Sequence, residues 1–283
     1  MGTNISLAMN SGTESLPSTG PLAVTVATPS EDLSVQPMRG IRSGRIVRSS
    51  YLRSKSLRRE QRSALIDRLY AVFSETLHGC TRDELEAVMF SAGDIDLILC
   101  YDAGDELVGF SFAGIDFIEH AGRRFAVFTA GGFFRHGYHG GVRSILFGLG
   151  QATRAKLRHP RIPLGYLTRC TTPAVYRLLA SKMPRVYPNR RYQTPAEIEA
   201  LVQTISASRQ YTAIGENPWV VRSIGRPHHP SRLRRLESDP EVRFYTELNP
   251  RFAEGEALLA WTPLDVANIA GGFARALRAR LAR

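Results

Sequence analysis

The stretch Arg123–Leu157, RRFAVFTAGGFFRHGYHGGVRSILFGLGQATRAKL, decides how this chain is read. Arg123 to Phe134 is rich in aromatic and β-branched residues and predicts a strand. Val142 to Leu157 repeats apolar residues at three- and four-residue steps and predicts a helix. Between them stands RHGYHGG, with three glycines and three side chains able to hold positive charge, Arg135, His136 and His139. A helix start exposes unpaired backbone N–H groups at the positive end of the helix dipole, and glycine lets an anion come close to them. Arg143 lies one turn further in. Phe134, Arg135, His136, Gly137, Tyr138, His139, Gly140, Gly141 and Arg143 are therefore the candidate anion-binding residues, suited to a pyrophosphate. Gly131-Gly132 inside the strand predicts a bulge or a place where something approaches the backbone.

Working outward, Leu57 to Leu77 carries one apolar stripe (Leu65, Ile66, Leu69, Val72, Phe73, Leu77) and predicts a helix. Thr81, followed by Asp83 and Glu84, predicts the N-cap of a second helix running to about Phe90. Strands follow at Ile95–Tyr101 and Leu107–Ile118, and the short turns joining them to the 123–134 strand predict an antiparallel meander. Downstream, Leu164–Cys170 predicts a strand and Ala174–Ser181 a helix with Pro173 near its first turn. Pro195–Ser208 predicts another helix, capped by Thr194. Val242–Leu248 and Ala257–Trp261 read as strands and Pro263–Leu281 as a final helix. The fold class is α/β (α+β), a mixed, mainly antiparallel central sheet flanked by helices. Residues 1–37, rich in Ser, Thr, Gly and Pro, read as a flexible tail, and 38–55 as a basic, extended lead-in. Residues 56–211 read as the main domain, and 212–283 as a C-terminal extension packed on it.

Across its 283 residues the chain carries a formal charge of +11. Much of that charge falls between Arg39 and Arg62 and at the C-terminus, where it reads as a solvated surface or as attraction to a polyanion. No apolar run is long enough to cross a membrane, and the first 20 residues lack the layout of a secretory signal. Cys80, Cys100 and Cys170 are odd in number and widely spaced, which argues against a disulfide framework or a zinc site. Cys100 and Cys170 read as core residues, and a cytoplasmic, reducing location is expected. No metal is expected. His228-His229, between two prolines, reads as a loop rather than a metal tract.

The order helix, helix, three antiparallel strands, glycine loop, helix, strand, helix resembles the GNAT superfamily of acyl-CoA-dependent N-acyltransferases. That family's signature at the loop is Arg/Gln-x-x-Gly-x-Gly/Ala. Arg135 and Gly140 match it, and Tyr138 stands where the first glycine is usual. The resemblance covers roughly half the chain. It implies acetyl-CoA or another acyl-CoA as co-substrate and a small-molecule or peptide amine as acceptor. It implies that the strand after the loop helix diverges from its neighbour to admit the pantetheine arm. It also implies a role for Tyr176 as the acid that serves the departing thiolate, or as a hydrogen-bond donor to the thioester sulfur. A backbone N–H near Gly132 to Phe134 would hold the oxyanion. Asp116 and His120, late on the central strand, fall where the family often places acceptor-side groups.

No GxSxG, HExxH, P-loop or early Rossmann glycine motif occurs, which leaves hydrolase, metalloprotease and nucleotide-binding readings without support. Two rivals to the acyltransferase stand. One is a GNAT-like CoA- or anion-binding protein without turnover. The other is a nucleic-acid-associated protein that uses the basic segment 39–62.

Overall fold

The computed structural model describes residues 44–90, 93–138, 141–228 and 238–281. The predicted tail 1–37, and the lead-in up to residue 43, lie outside the described residues. Seven strands form one sheet, in the order β1 (Arg48–Arg53), β3 (Ile95–Tyr101), β4 (Leu107–His120), β5 (Arg123–Phe134), β6 (Leu164–Cys170), β9 (Glu256–Pro263) and β7 (Val220–Arg222). Every neighbouring pair is antiparallel except β5–β6. A separate two-stranded ribbon joins β2 (Leu77–His78) to β8 (Arg226–Pro227). Among the described residues seven α-helices accompany them: α1 (Arg59–Ser74), α2 (Arg82–Met89), α3 (Gly141–Arg158), α4 (Pro173–Lys182), α5 (Ala196–Ser208), α6 (Pro240–Leu248) and α7 (Val266–Leu281).

Strand alternation divides the helices between two layers. Phe110 and Phe112 of β4 face a core built with α1 and α2 from Leu65, Ile66, Leu69, Phe73, Leu85 and Met89. The intervening Ser111 reaches the opposite layer, where its hydroxyl bonds the Ser144 hydroxyl of α3 at 2.9 Å. Thr81 caps α2 as its sequence predicts: its hydroxyl accepts from the Glu84 N–H, and its own N–H donates to the Glu84 carboxylate at 2.7 Å.

Part of the extended, basic lead-in is strand β1, in register with β3 from Arg48↔Tyr101 to Arg53↔Asp96. Three expectations are corrected. Val242–Leu248 is not a strand but lies in α6. Asp239 accepts from the Glu241 N–H and Pro240 occupies the first turn, and Val242 and Tyr245, three apart, are the buried residues. Helix α5 begins after Pro195 rather than under a Thr194 cap, with no side-chain cap bond. Gly131-Gly132 makes no bulge, because the β4–β5 register is unbroken from Gly109↔Phe134 to His120↔Arg123. The close approach is real instead: a Cβ on Gly131 would stand 2.6 Å from the Phe112 ring.

The segment after Tyr211 completes the sheet. Strand β9, buried along nearly all its length, pairs with β6 from Gly165↔Pro263 to Cys170↔Leu258, and β7 pairs with β9 in turn.

Candidate functional site

Strands β5 and β6 run together for three pairs only, Ala126↔Leu164, Val127↔Gly165 and Phe128↔Tyr166. Beyond Phe128 they part, while β5 continues to Phe134 and β6 to Cys170. The phase of β5 is fixed at both ends. The Ala126 N–H donates toward β6, to the Pro163 carbonyl at 2.8 Å, and the Arg135 N–H donates toward β4, to Val108 at 2.9 Å. Successive N–H groups of a strand alternate sides. Those of Ala130, Gly132 and Phe134 therefore point into the gap, past the end of the β5–β6 ladder.

A cavity of about 1070 Å³ occupies this gap. Leu85, Val88 and Met89 of α2 line it from one layer, and Ser144, Ile145, Phe147 and Leu149 of α3 from the other. The lining is largely apolar, with the cationic side chains Arg135, Arg169 and Lys182 and no Asp or Glu among the described residues. An apolar cleft with a few placed polar groups is the usual form of a small-molecule site. A smaller hollow of about 250 Å³, among Arg53, Lys55, Arg154 and Arg158, lies elsewhere.

Several predicted residues gather at the mouth of the cavity. Phe134, Arg135, His136, Gly137 and Tyr138 all line it. Arg135 is braced by Glu106 at 2.6 Å and Glu75 at 3.4 Å, and its buried Nε has no hydrogen-bond partner. Gly137 takes φ +84°, a conformation that favours glycine, and its carbonyl accepts from the Gly44 N–H at 2.9 Å. Tyr138, standing where the family signature has glycine, turns its hydroxyl to the Asp102 carboxylate at 3.0 Å. A hydrogen bond from the Glu106 backbone N–H, joined by the one from that hydroxyl, holds Asp102 below the usual aspartate range. His139 and Gly140 lie outside the described residues. Gly141 opens α3, and Arg143, exposed, donates to the Ser49 hydroxyl at 3.2 Å.

The other predicted residues stand apart from the cavity. Tyr176 is fully buried on α4, its ring against Phe244 and Tyr245 and its hydroxyl donating to the Pro188 carbonyl at 2.8 Å. Burial pushes that phenol well above its ordinary range. This is the placement of a core residue, not of an acid facing substrate. The physical reason is helix geometry. Val175, Leu178, Leu179 and Lys182, at i, i+3, i+4 and i+7, line the cavity, and Tyr176 sits about 100° around from that stripe. His120 is also remote from the cavity lining. Its Nδ1 lies 2.8 Å from the Thr204 hydroxyl. Asp116 pairs with Arg209 at 3.1 Å. Desolvation leaves its carboxyl above the ordinary range, although the Arg209 charge and hydrogen bond pull the other way.

Sequence reading missed three groups at the inner end of the gap. Tyr166 donates from its hydroxyl to the Ala130 carbonyl at 2.9 Å, bridging the two strands where they part. Arg169 lies over the Tyr211 ring at 4.5 Å. Arg209, with 8% of its side chain exposed, donates to Thr129 Oγ1 at 2.6 Å as well as to Asp116. The available signal was an arginine inside an otherwise apolar strand, LGYLTRC.

Among the described residues no cluster of His, Cys, Asp and Glu is placed to hold a metal ion, and no helix is long and apolar enough to cross a membrane. No family model and no curated protein matches the chain. Among solved structures, a protein of unknown function from Enterococcus faecalis V583, described as a probable N-acyltransferase, is similar over 48% of this chain and 33% of its own, with 13% identity and a TM-score of 0.31. A GCN5-related glucosamine N-acetyltransferase region of a fungal multi-domain β-N-acetylglucosaminidase is similar over 72% and 25%, with 13% identity and a TM-score of 0.32. Malonyl-CoA decarboxylase from Cupriavidus metallidurans is similar over 82% and 64%, with 10% identity and a TM-score of 0.33. The chain spans less than two thirds of the length of each.

Proposed function

We propose that this chain is an acyl-CoA-dependent N-acyltransferase of the GNAT type, transferring most simply an acetyl group to an amine. The observation that carries the reading is the parting of β5 and β6 over a large cavity, with the N–H groups of Ala130, Gly132 and Phe134 turned into the opening. A pantetheine arm is an extended chain of amides, and it can pair with such a strand edge as another strand would. Its phosphates would lie toward Gly137, Tyr138 and the start of α3, where backbone N–H groups and the helix dipole favour anions.

In this reading the amine enters from the α2 layer and attacks the thioester carbonyl. The N–H of Gly132 or Phe134 receives the developing oxyanion. The C–N bond forms, the C–S bond breaks, and the amine proton passes to water, since no carboxylate lines the cavity among the described residues. Tyr166 stands at the point of parting with its one hydroxyl proton on the Ala130 carbonyl, and burial keeps that phenol protonated, so the departing thiolate takes its proton from water. Residues 56–211 and 212–283 act together as one domain, because β9 supplies the outer neighbour of β6. Three free, buried cysteines support a reducing, cytoplasmic setting.

A second reading, a CoA-binding protein without turnover, is favoured by the core placement of Tyr176 and the absence of a lining carboxylate among the described residues. One experiment separates the two. Acetyl-CoA raises the unfolding midpoint under both. Thiol release in the presence of an amine panel supports the enzyme; acetyl-CoA stabilisation without release supports the binding protein. The absence of both sinks each of them and moves attention to nucleic acid and segment 39–62.

A further inference from the structure

We infer that Arg169 receives a carboxylate inside the gap, so that one of the two substrates carries a free carboxyl group. The inference rests on the acyltransferase reading for the identity of those substrates, but its structural basis is independent of it. Arg169 projects from β6 into the cavity beside Tyr211. Its guanidinium makes no hydrogen bond and no ion pair with any described residue; its ring contact with Tyr211 is its one direct interaction. The electrostatic influences on it are Tyr211, Cys80 and a second cation, Arg209, with no Asp or Glu among them. Burial accordingly holds Arg169 below its usual range.

Arg209 sharpens the imbalance. Asp116 and Thr129 satisfy its Nη2, while its Nη1 is buried with no partner. Of these two guanidiniums only Arg209 has a carboxylate partner, in a largely apolar surround. Partly buried cations are normally paired, and a fork of guanidinium N–H donors matches a carboxylate with two parallel hydrogen bonds. The missing negative charge is supplied by the ligand. Two sources share that chemistry. One is an acceptor that is both amine and acid, such as a free amino acid. The other is an acyl group derived from a dicarboxylic acid.

The test measures binding, so it needs no turnover. Calorimetry on the full chain would compare N-acetylated glycine, alanine, leucine and phenylalanine with their carboxamides, and acetyl-CoA with malonyl- and succinyl-CoA. The expected result is that the acid form of one set binds at least about tenfold tighter than its uncharged counterpart, the scale of a charge-assisted hydrogen-bond pair. Arg169→Gln should abolish that preference, and Arg169→Lys should restore part of it. Preference within the amino-acid set assigns the carboxylate to the acceptor, and preference among the CoA esters assigns it to the acyl group. Equal binding of acid and uncharged forms in both sets, or a preference that survives in Arg169→Gln, overturns the inference. The wild-type comparison stands even if the variants fail to fold. Acetyl-CoA binding without any carboxylate preference refutes this inference alone. Carboxylate binding that needs Arg169, with no CoA ester bound, refutes the acyltransferase reading alone.

Discussion

Replacing Tyr176 by phenylalanine separates the role read from sequence from the role the fold assigns. The ring is fully buried between α4 and α6, so the substitution keeps its packing against Phe244 and Tyr245 and deletes one oxygen. That oxygen donates the 2.8 Å bond to the Pro188 carbonyl. The carbonyl then loses its partner in a place water does not reach, which costs about 1–3 kcal/mol. For a chain of this size each kcal/mol lowers the melting midpoint by about 2–4 °C, so a fall of about 2–12 °C is expected. Differential scanning fluorimetry with and without acetyl-CoA reads both halves of the argument. The apo midpoint should fall, and the upward shift given by acetyl-CoA should match that of wild type, because Tyr176 does not line the cavity. Thiol release per folded molecule should likewise be unchanged. A variant with wild-type stability and a turnover loss of about a hundredfold would refute the reasoning and return Tyr176 to the role of acid.

Other perturbations follow from the same geometry. Gly131→Val should cost about 1–3 kcal/mol in chemical denaturation, because its Cβ meets the buried Phe112 ring, and it should remove the acetyl-CoA stabilisation by narrowing the gap; an undiminished shift would show that the ligand lies elsewhere. Arg209→Met leaves the Asp116 carboxylate in a poorly solvated place without its cation and should cost about 3 kcal/mol or more. Adding Asp116→Leu should recover part of that loss, so additive costs in urea titrations would contradict the coupling. The Cys80 thiol is pushed up to about 11 by burial, helped by the Glu84 carboxylate and opposed by Arg169. The folded thiol keeps its proton longer than the unfolded one, so its contribution to stability is intact below about 9 and is lost as pH rises toward about 11. Alkylation of native protein at Cys80, followed by peptide mass mapping, should therefore accelerate mainly near the upper end of that window, and rapid labelling near pH 8 would contradict it.

What could be read from sequence was set by which physical signal decides each element. Strands β3, β5 and β6 coincide with their predicted bounds, because apolar runs of β-branched and aromatic residues stop at clear turn residues. Thr81 worked as a cap because capping is local: the hydroxyl and its Glu84 partner are three residues apart. The unread and misread elements lie where partners are distant or two local signals conflict. Strand β1 earns its conformation only from β3, some fifty residues away. In α6, Val242, Phe244 and Tyr245 suggest a strand by composition, and the Asp239-Pro240 start overrides them. At the site, Phe134 to Tyr138 of the glycine loop line the cavity. Its inner end went unread. Tyr176 was judged by its position in the order of elements rather than by the face of α4 it occupies. Arg169 and Arg209 become neighbours only when β6 and the end of α5 are folded together.

The insertion of β9 between β6 and β7 has a consequence for how the molecule is made. Strand β6 receives only three residue pairs from β5, and its longer partner, Glu256–Pro263, is synthesised after the other six strands of the sheet. A nascent chain that stops before Glu256 therefore presents β6 as a largely apolar edge. Strand pairing over so long a separation is slow, and open edges recruit other chains. Translation must run through Pro263 before the wall of the cavity closes, and truncation within β9 is expected to yield aggregates rather than a smaller working domain.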